Sequence, residues 1–472
     1  MENLDFWTRR DFMKGATALG ITGVALWSGA CESACNKIKN RPTRRNIANL
    51  PANDPIIQTY NAAVAAMIAL PASDGRNWNN QALIHNNHCT HGNWWFLPWH
   101  RAYLFYFESI CRKLTGNNDF ALPYWNWTTS PSIPAPFWSG SLLHAPRSAN
   151  QASVANPLTV GAPVITDILD QTNFFLFASA QSATPSDNVG YGMLEGTPHN
   201  SIHGFVGGDM GTYMSPLDPI FWCHHNMIEC LWVDWNINKG NPNTNDPAWV
   251  NQQFTDFVDA DGNPVTIGVL TTLLMPLVSY QFEPCAPGAG PAVVKDKAVL
   301  EKFLREGAPA KLEYYKRYEI RKSLTAELRQ AAPTRLKVEP DAFRAMMDSS
   351  AREKAVLTIG EVELPPKNDV FVRVFVNKPD AGADTPMEDP HYAGSFAFFC
   401  CADDKGHPGM AAAPKPKLNY LVDLTKTIRK LNQGGSLSAD MDVTLVPVPF
   451  DNRPVETQRI TLGRIEVGLA RF

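Results

Sequence analysis

Residues 45–290 carry apolar positions at helical spacing, and residues 354–472 carry them at a period of two. In the first region PIIQTYNAAVAAMIA (residues 55–69) reads as an amphipathic helix, and 77–85 as the end of a second. Pro98 suits the first turn of a third helix, running to about Leu114. On it His100, Tyr103, Leu104, Phe107, Glu108 and Cys111 follow the 3, 4, 7, 8, 11 spacing of one inward face. Two more helices are expected, around His199–His203 and over 219–236. The set predicts an antiparallel four-helix bundle, with residues 123–189, rich in Pro, Ser, Ala and Asn, as loops around it. Residues 295–330 turn to Lys, Arg and Glu, so 291–353 is expected to be a solvated helical linker. Beyond it Val370, Val372, Val374 and Val376 alternate with Phe371, Arg373 and Phe375. Further strands are expected at GSFAFFC, MDVTLVPV and RITLGRIEV. The fold class is a mainly α domain followed by a β-sandwich or barrel.

Nine of the eleven histidines fall between His85 and His225. Trp94, Trp95 and Phe96 lie between His91 and His100, so these imidazoles are expected in an apolar wall. His91 cannot share the inward face of His100 on one continuous helix, because nine residues is two and a half turns. It must arrive from the preceding loop. In PHNSIH, His199 and His203 stand at i and i+4, about 5–6 Å apart on one face. DPIFWCHH then puts His224 and His225 on another helix, about 100° apart around its axis, so both are not expected to reach one ion. A lone buried histidine is usually a hydrogen-bonded core residue. Two clusters among aromatics are read instead as two three-ligand metal groups. Neutral imidazole suits copper, zinc, iron or nickel, and the Cys pair beside a His pair that marks structural zinc is absent.

HGNWWFLPWHRAYLFYFE is similar to the first copper signature of the tyrosinase and catechol oxidase family at His91, Phe96, Trp99, His100, Arg101, Leu104 and Glu108. DPIFWCHH resembles the second, which usually closes on Asp four residues after the ligand, where this chain has Glu229. QALIHNNHC resembles the plant polyphenol oxidase segment in which the first ligand precedes a cysteine by four residues. The resemblance covers about residues 45–285 and implies a type-3 pair of copper ions with dioxygen as co-substrate. His85, His91 and His100 would hold the first copper, and His199, His203 and His225 the second, leaving His88 as a bystander and His224 beside the second site. It also implies a thioether from Cys89 to the His91 ring, and a water held by Glu195 and Asn200 as base for a phenol. Thr212 would leave the entrance open where plant catechol oxidases carry a bulky Phe. The implied activity is ortho-hydroxylation of monophenols and oxidation of o-diphenols to o-quinones. Oxidation of diphenols alone, and oxygen carriage as in molluscan hemocyanins, are the alternatives. DVFVRVFVN and AGSFAFF look like the C-terminal domain of plant polyphenol oxidases, which lies over the copper site in the proenzyme. A purely stabilising domain is the competing reading. Alternation buries Phe396 and Phe398 in their own domain and turns Phe399 towards the catalytic mouth as a mock phenol.

The formal net charge of −4 argues against a nucleic-acid surface. Small phenols, with a copper chaperone for loading, are the expected partners. TRRDFMK (residues 8–14), followed by the moderate apolar run GATALGITGVALWSGA, is a twin-arginine pattern with Ser28-Gly29-Ala30 for cleavage. Residues 1–30 are therefore expected to be a signal peptide for export of the folded protein, to the periplasm or beyond. No membrane insertion is expected, because no apolar run reaches the roughly eighteen residues of a span. His144 reads as a surface histidine. Among nine cysteines, Cys31 and Cys35 could form disulfides in an oxidising compartment.

Overall fold

The computed structural model describes residues 41–288, 353–365, 367–399, 417–437, 440–450 and 459–471, with the backbone of strands at 313–321, 324–327 and 332–337. Helix α1 (Pro55–Ala69) begins where Asp54 accepts from the Ile56 amide and Pro55 supplies a preset φ. Helix α2 (Trp78–His88) is capped in the same way by Asn77. Helix α3 (Phe96–Thr115) ends on Gly116 at φ +70°, the left-handed cap that glycine takes without cost. After α4 (Ala162–Leu169) and α5 (Asn200–Val206) come α6 (Ile220–Val233) and α7 (Val269–Val278). Helix α3 packs against α1, α6 and α7. Phe107 of α3 stacks on Trp222 of α6 with centroids 3.5 Å apart, and such a ring pair is worth about 0.5–1.5 kcal/mol beyond its buried area. A hairpin of β1 (Gln253–Val258) and β2 (Pro264–Gly268) lies against α2 and α3.

Two buried polar ties fix α3 against α6 and its surroundings. Arg101 Nε donates to both Glu229 oxygens at 2.9 and 2.8 Å, and its guanidinium lies 3.4 Å over the Trp232 ring. Glu108 accepts from Arg44, Arg112 and the Leu122 amide. A Cys230–Cys285 disulfide then joins α6 to the segment after α7.

The C-terminal strands are β3 (Glu313–Arg321), β4 (Leu324–Glu327), β5 (Ala332–Lys337), β6 (Glu353–Val362), β7 (Val370–Val376), β8 (Tyr392–Ala397) and β9 (Leu418–Asp423). Helix α8 (Thr425–Gln433), β10 (Asp440–Pro449), β11 (Arg459–Leu462) and β12 (Arg464–Arg471) complete them. Two antiparallel four-stranded sheets form, ordered β8-β7-β10-β5 and β9-β6-β12-β3, and β11 pairs with β4. Val370, Val372, Val374 and Val376 share an apolar cluster with Leu357 and Ile359 of β6 and Val467 and Leu469 of β12. Phe371 and Phe375, on the opposite face of β7, join the core of the helical region. Strand β7 is buried on both faces because one face meets its own domain and the other meets the helices. The edge of β9 is taken up as well: Tyr191 N–H donates to Asn419 O at 2.8 Å, and Leu421 N–H to Tyr191 O at 3.0 Å.

Two expectations need correcting. The charged linker over 291–353 is not helical where it is described, since β3, β4 and β5 lie within it. Pairing of β3 with β12 and of β5 with β10 overrides the local charge pattern. Among the described residues the sheets are open, so the barrel alternative is set aside. The twin-arginine segment, Cys31, Cys35, residues 291–312, Cys400 and Cys401 lie outside the described residues.

Candidate metal centre

Seven buried imidazoles converge between the helices. Helix α2 delivers His85, α3 delivers His100, and His91 arrives on the loop between them. A π-helical turn, Glu195–His199, runs into α5 and delivers His199 and His203, while α6 delivers His224 and His225. Ring centroids in the first group are 5.2 Å (His85–His91), 5.5 Å (His85–His100) and 5.1 Å (His91–His100) apart. In the second they are 4.5 Å (His199–His203), 4.9 Å (His199–His225) and 5.4 Å (His203–His225) apart. The groups adjoin, with His100 and His225 stacked at 4.4 Å.

Nδ1 contacts orient most of these rings. His85 bonds Tyr213 O at 2.7 Å, His100 bonds Phe96 O at 2.8 Å, and His203 bonds Met210 O at 2.6 Å. His199 bonds the Asn200 side-chain oxygen at 2.8 Å. Each such contact puts the proton on Nδ1 and leaves Nε2 with a bare lone pair. The Nε2 atoms of His85, His91, His100 and His199 are buried without a partner, and those of His203 and His225 face each other at 3.2 Å. Burial lowers the pKa of His85 to about 4. Burial, then the neighbouring imidazoles, holds His91, His100, His199, His203 and His225 well below the ordinary histidine range. Unpartnered neutral nitrogens aimed at common points fit metal ions, since an orphaned buried acceptor otherwise costs about 1–3 kcal/mol.

His224 also borders the second group. Its Nδ1 accepts from the Trp127 indole N–H at 3.2 Å, so the neutral ring carries its proton on Nε2, the nitrogen facing the cluster. His88 turns outward, half-exposed, to Asp256 at 3.5 Å. His144 is only partly exposed and contacts Asp209 at 2.8 Å.

The remaining expected residues take places that spacing did not indicate. The Cys89 sulfur lies within 4.8 Å of ligand nitrogens of both His85 and His91. Glu195 is fully buried, and its carboxylate accepts from the Gly92 amide at 2.9 and 3.1 Å and from the Ser179 hydroxyl. Burial pushes its pKa well above the carboxylate range, against the pull of those two donors. Asn200 spends its oxygen on His199, and its nitrogen donates to Ala397 O of β8 at 2.9 Å. Both side chains are thus engaged by protein groups in this conformation. Thr212 is occupied in its own turn, donating to Asp209 O and accepting from Met214 N–H, both at 3.0 Å. The next residue, Tyr213, faces the site, 5.9 Å from His91. Counting residues alone missed it; the adjacent aromatic was the available signal.

Phe399 stands between the two groups. Its ring stacks on His91 at 4.6 Å, meets His203 edge-on at 4.7 Å and touches Tyr213 at 5.1 Å. Phe396 and Phe398 pack in the cluster of their own domain, as the alternation predicts.

The family pattern described as the common central domain of tyrosinase matches residues 75–160 and 140–238. The chloroplastic polyphenol oxidase C-terminal domain matches 326–462. The chain belongs to the tyrosinase and polyphenol oxidase family. Within that family it is 26% identical to tyrosinase HcTyr1 of Hahella sp., covering 90% of this chain and 98% of that one. It is 25% identical to the chloroplastic (+)-larreatricin hydroxylase of Larrea tridentata, covering 89% and 76%. Latent apple tyrosinase shares the fold at a TM-score of 0.68 and 22% identity, over 91% of this chain and 97% of that one. A functional unit of octopus hemocyanin does so at 0.50 and 17%, over 91% and 100%. Family membership implies a type-3 dicopper centre. His199, His203, His224 and His225 form one cluster able to hold a metal ion, and His85 forms others with Cys89 and His91 and with His100 and His225.

Proposed function

We propose that the chain is a dioxygen-dependent copper polyphenol oxidase that oxidises o-diphenols to o-quinones and hydroxylates monophenols at the ortho position. The observation that carries this reading is the convergence of six neutral, buried imidazoles, five of which keep a ring nitrogen that no protein group satisfies, while the Nε2 atoms of His203 and His225 face only each other. His85, His91 and His100 would hold one copper and His199, His203 and His225 the other, projecting from an antiparallel bundle of α2, α3, α5 and α6. Two coppers bound there supply two-electron exchange with dioxygen and a Lewis-acid docking point for a phenolate. The chain does the rest. Phe96 and Phe221 wall the site with apolar surface and keep water out. Asn200 fixes the His199 tautomer, and a thioether from Cys89 would restrain the loop-borne His91. The Phe399 ring stands where a phenol ring would stack on His91, so the C-terminal domain keeps the enzyme latent until Phe399 withdraws. Its withdrawal with β8 would also free the Asn200 amide from Ala397.

A second reading, oxidation of diphenols alone, has a specific observation in its favour. Glu195 and Asn200 are both engaged, and Tyr213 crowds the mouth. Export by the twin-arginine route is proposed from residues 8–14 and is supported by the Cys230–Cys285 disulfide, which suits an oxidising compartment. No helix among the described residues is long and apolar enough to cross a membrane. The test is limited proteolysis of the copper-loaded protein, followed by rates on a paired monophenol and catechol. Quinone from both after trimming supports the proposal, quinone from catechol alone selects the second reading, and reversible oxygen uptake without quinone would mark a carrier.

A further inference from the structure

Glu195 is buried beside the proposed copper site, but its geometry is that of a clamp. Of the six histidines assigned to copper, His85, His100, His199 and His203 have Nδ1 held by a protein oxygen. His225 has its Nε2 against that of His203 and its backbone within α6. His91 has neither ring nitrogen in a hydrogen bond and sits on a loop that no helical hydrogen bonds restrain.

What the fold holds is the peptide immediately after His91. The Gly92 amide donates to both Glu195 oxygens, and the Gly92 carbonyl accepts from the Val189 and Gly190 amides, each at 2.9 Å. Gly92 has φ +64°, and a Cβ there would lie 2.5 Å from the Asn188 side chain, so only glycine fits this spacing. The Ser179 hydroxyl secures the second carboxylate oxygen. Glu195 opens the π-helical turn whose last residue is His199, a ligand of the other proposed site. One buried side chain thus ties the loop of the first histidine group to the turn that begins the second. The rings of His91 and His199 lie 5.6 Å apart across it.

We propose that Glu195 is a positioning residue that holds His91 at a fixed place relative to His199, and so sets the affinity of the first copper site. The proposal rests on the two-copper reading above. It departs from the role of a base, because hydrogen-bond acceptance from Gly92 is what matters and a side-chain amide can supply that.

The test is copper titration of the full-length, metal-free protein against a competing chelator, with amide exchange of residues 89–95 followed before metal is added. Glu195→Asp keeps the carboxyl group but falls a methylene short of Gly92, whereas Glu195→Gln keeps the reach and an acceptor oxygen. The clamp predicts that Glu195→Asp weakens one of two copper-binding steps about 10–100-fold, the usual effect of losing a partner that orients a ligand. Exchange at 89–95 should also quicken in that variant. Glu195→Gln should bind both ions within about threefold of the wild type, with protected amides, as expected when only the orienting contact matters. A base requires the opposite order: full copper in both variants, and turnover surviving in Glu195→Asp but lost in Glu195→Gln. Native copper affinity in Glu195→Asp, or weaker binding by Glu195→Gln than by Glu195→Asp, overturns the clamp. If the wild type itself takes up fewer than two ions, the two-copper reading fails, and that outcome is separate from either variant result.

Discussion

The two histidine groups are built by different means. The second is local: His199 and His203 share one face, and their Nδ1 atoms find oxygens on Asn200 and Met210, one and seven residues on. The first depends on distant chain. His85 is oriented by the Tyr213 carbonyl 128 residues away, and the His91 loop by Glu195, 103 residues beyond Gly92. His199 and His203 need little beyond their own turn and helix, and His225 of α6 completes the group. A site made from two helices and a loop exists only when the whole tertiary structure is in place, so the first group should be the more sensitive to changes elsewhere.

The largest effect is expected at the tie between the helices that carry His100 and His225. Glu229→Ala leaves Arg101 buried without its carboxylate, and breaking a buried pair from one side costs about 3–5 kcal/mol. Denaturant unfolding should show that loss. An unchanged midpoint would mean that α3 and α6 are held by apolar packing alone. Acid should act on both groups alike in the metal-free protein. Each buried imidazole has its pKa below the unfolded value near 6.5, so the unfolded chain binds the more protons. The contribution present above that pH is lost as pH falls, for His85 through about 4, a loss on the order of 3 kcal/mol for that group. A flat stability profile between pH 7 and 4 would contradict neutral burial.

Smaller effects probe the contacts that span both groups. Phe399→Ala removes the ring that touches His91 and His203. Activity of the untrimmed protein is expected to rise about tenfold, equivalent to roughly 1.4 kcal/mol of blocking interaction. Loss of activity together with thermal midpoint would make the domain a prop rather than a shield. Tyr213→Ala keeps the carbonyl that orients His85 but opens the mouth. Bulky monophenols should gain a few-fold over small catechols, since relief of crowding is worth about 1 kcal/mol. Equal gains for both substrates would remove Tyr213 as a gate.

The difference between the groups also governs what could be read from the sequence. Helix α1 and the i,i+4 pair His199/His203 were legible because spacing alone specifies them. The inward face of α3 was legible for the same reason, and so was the split of Phe396 and Phe398 from Phe399. Contacts set by folding at long range were not. The engagement of Glu195 by Gly92 and Ser179, the Cys230–Cys285 pairing and the tie of Asn200 to Ala397 all join segments far apart in the chain. Thr212 and Tyr213 show how narrow the margin is: a one-residue offset in a turn decides which side chain faces the site. Residues 313–321 read as a charged helix because pairing with β12 leaves no local mark.

Metal analysis tests the central claim most directly. The full-length protein, loaded with copper and freed of excess, should hold two ions per chain, falling to one in His100→Ala and one in His203→Ala, with turnover nearly abolished in both. Two ions and full turnover in either variant would contradict the assignment of the histidine groups to copper.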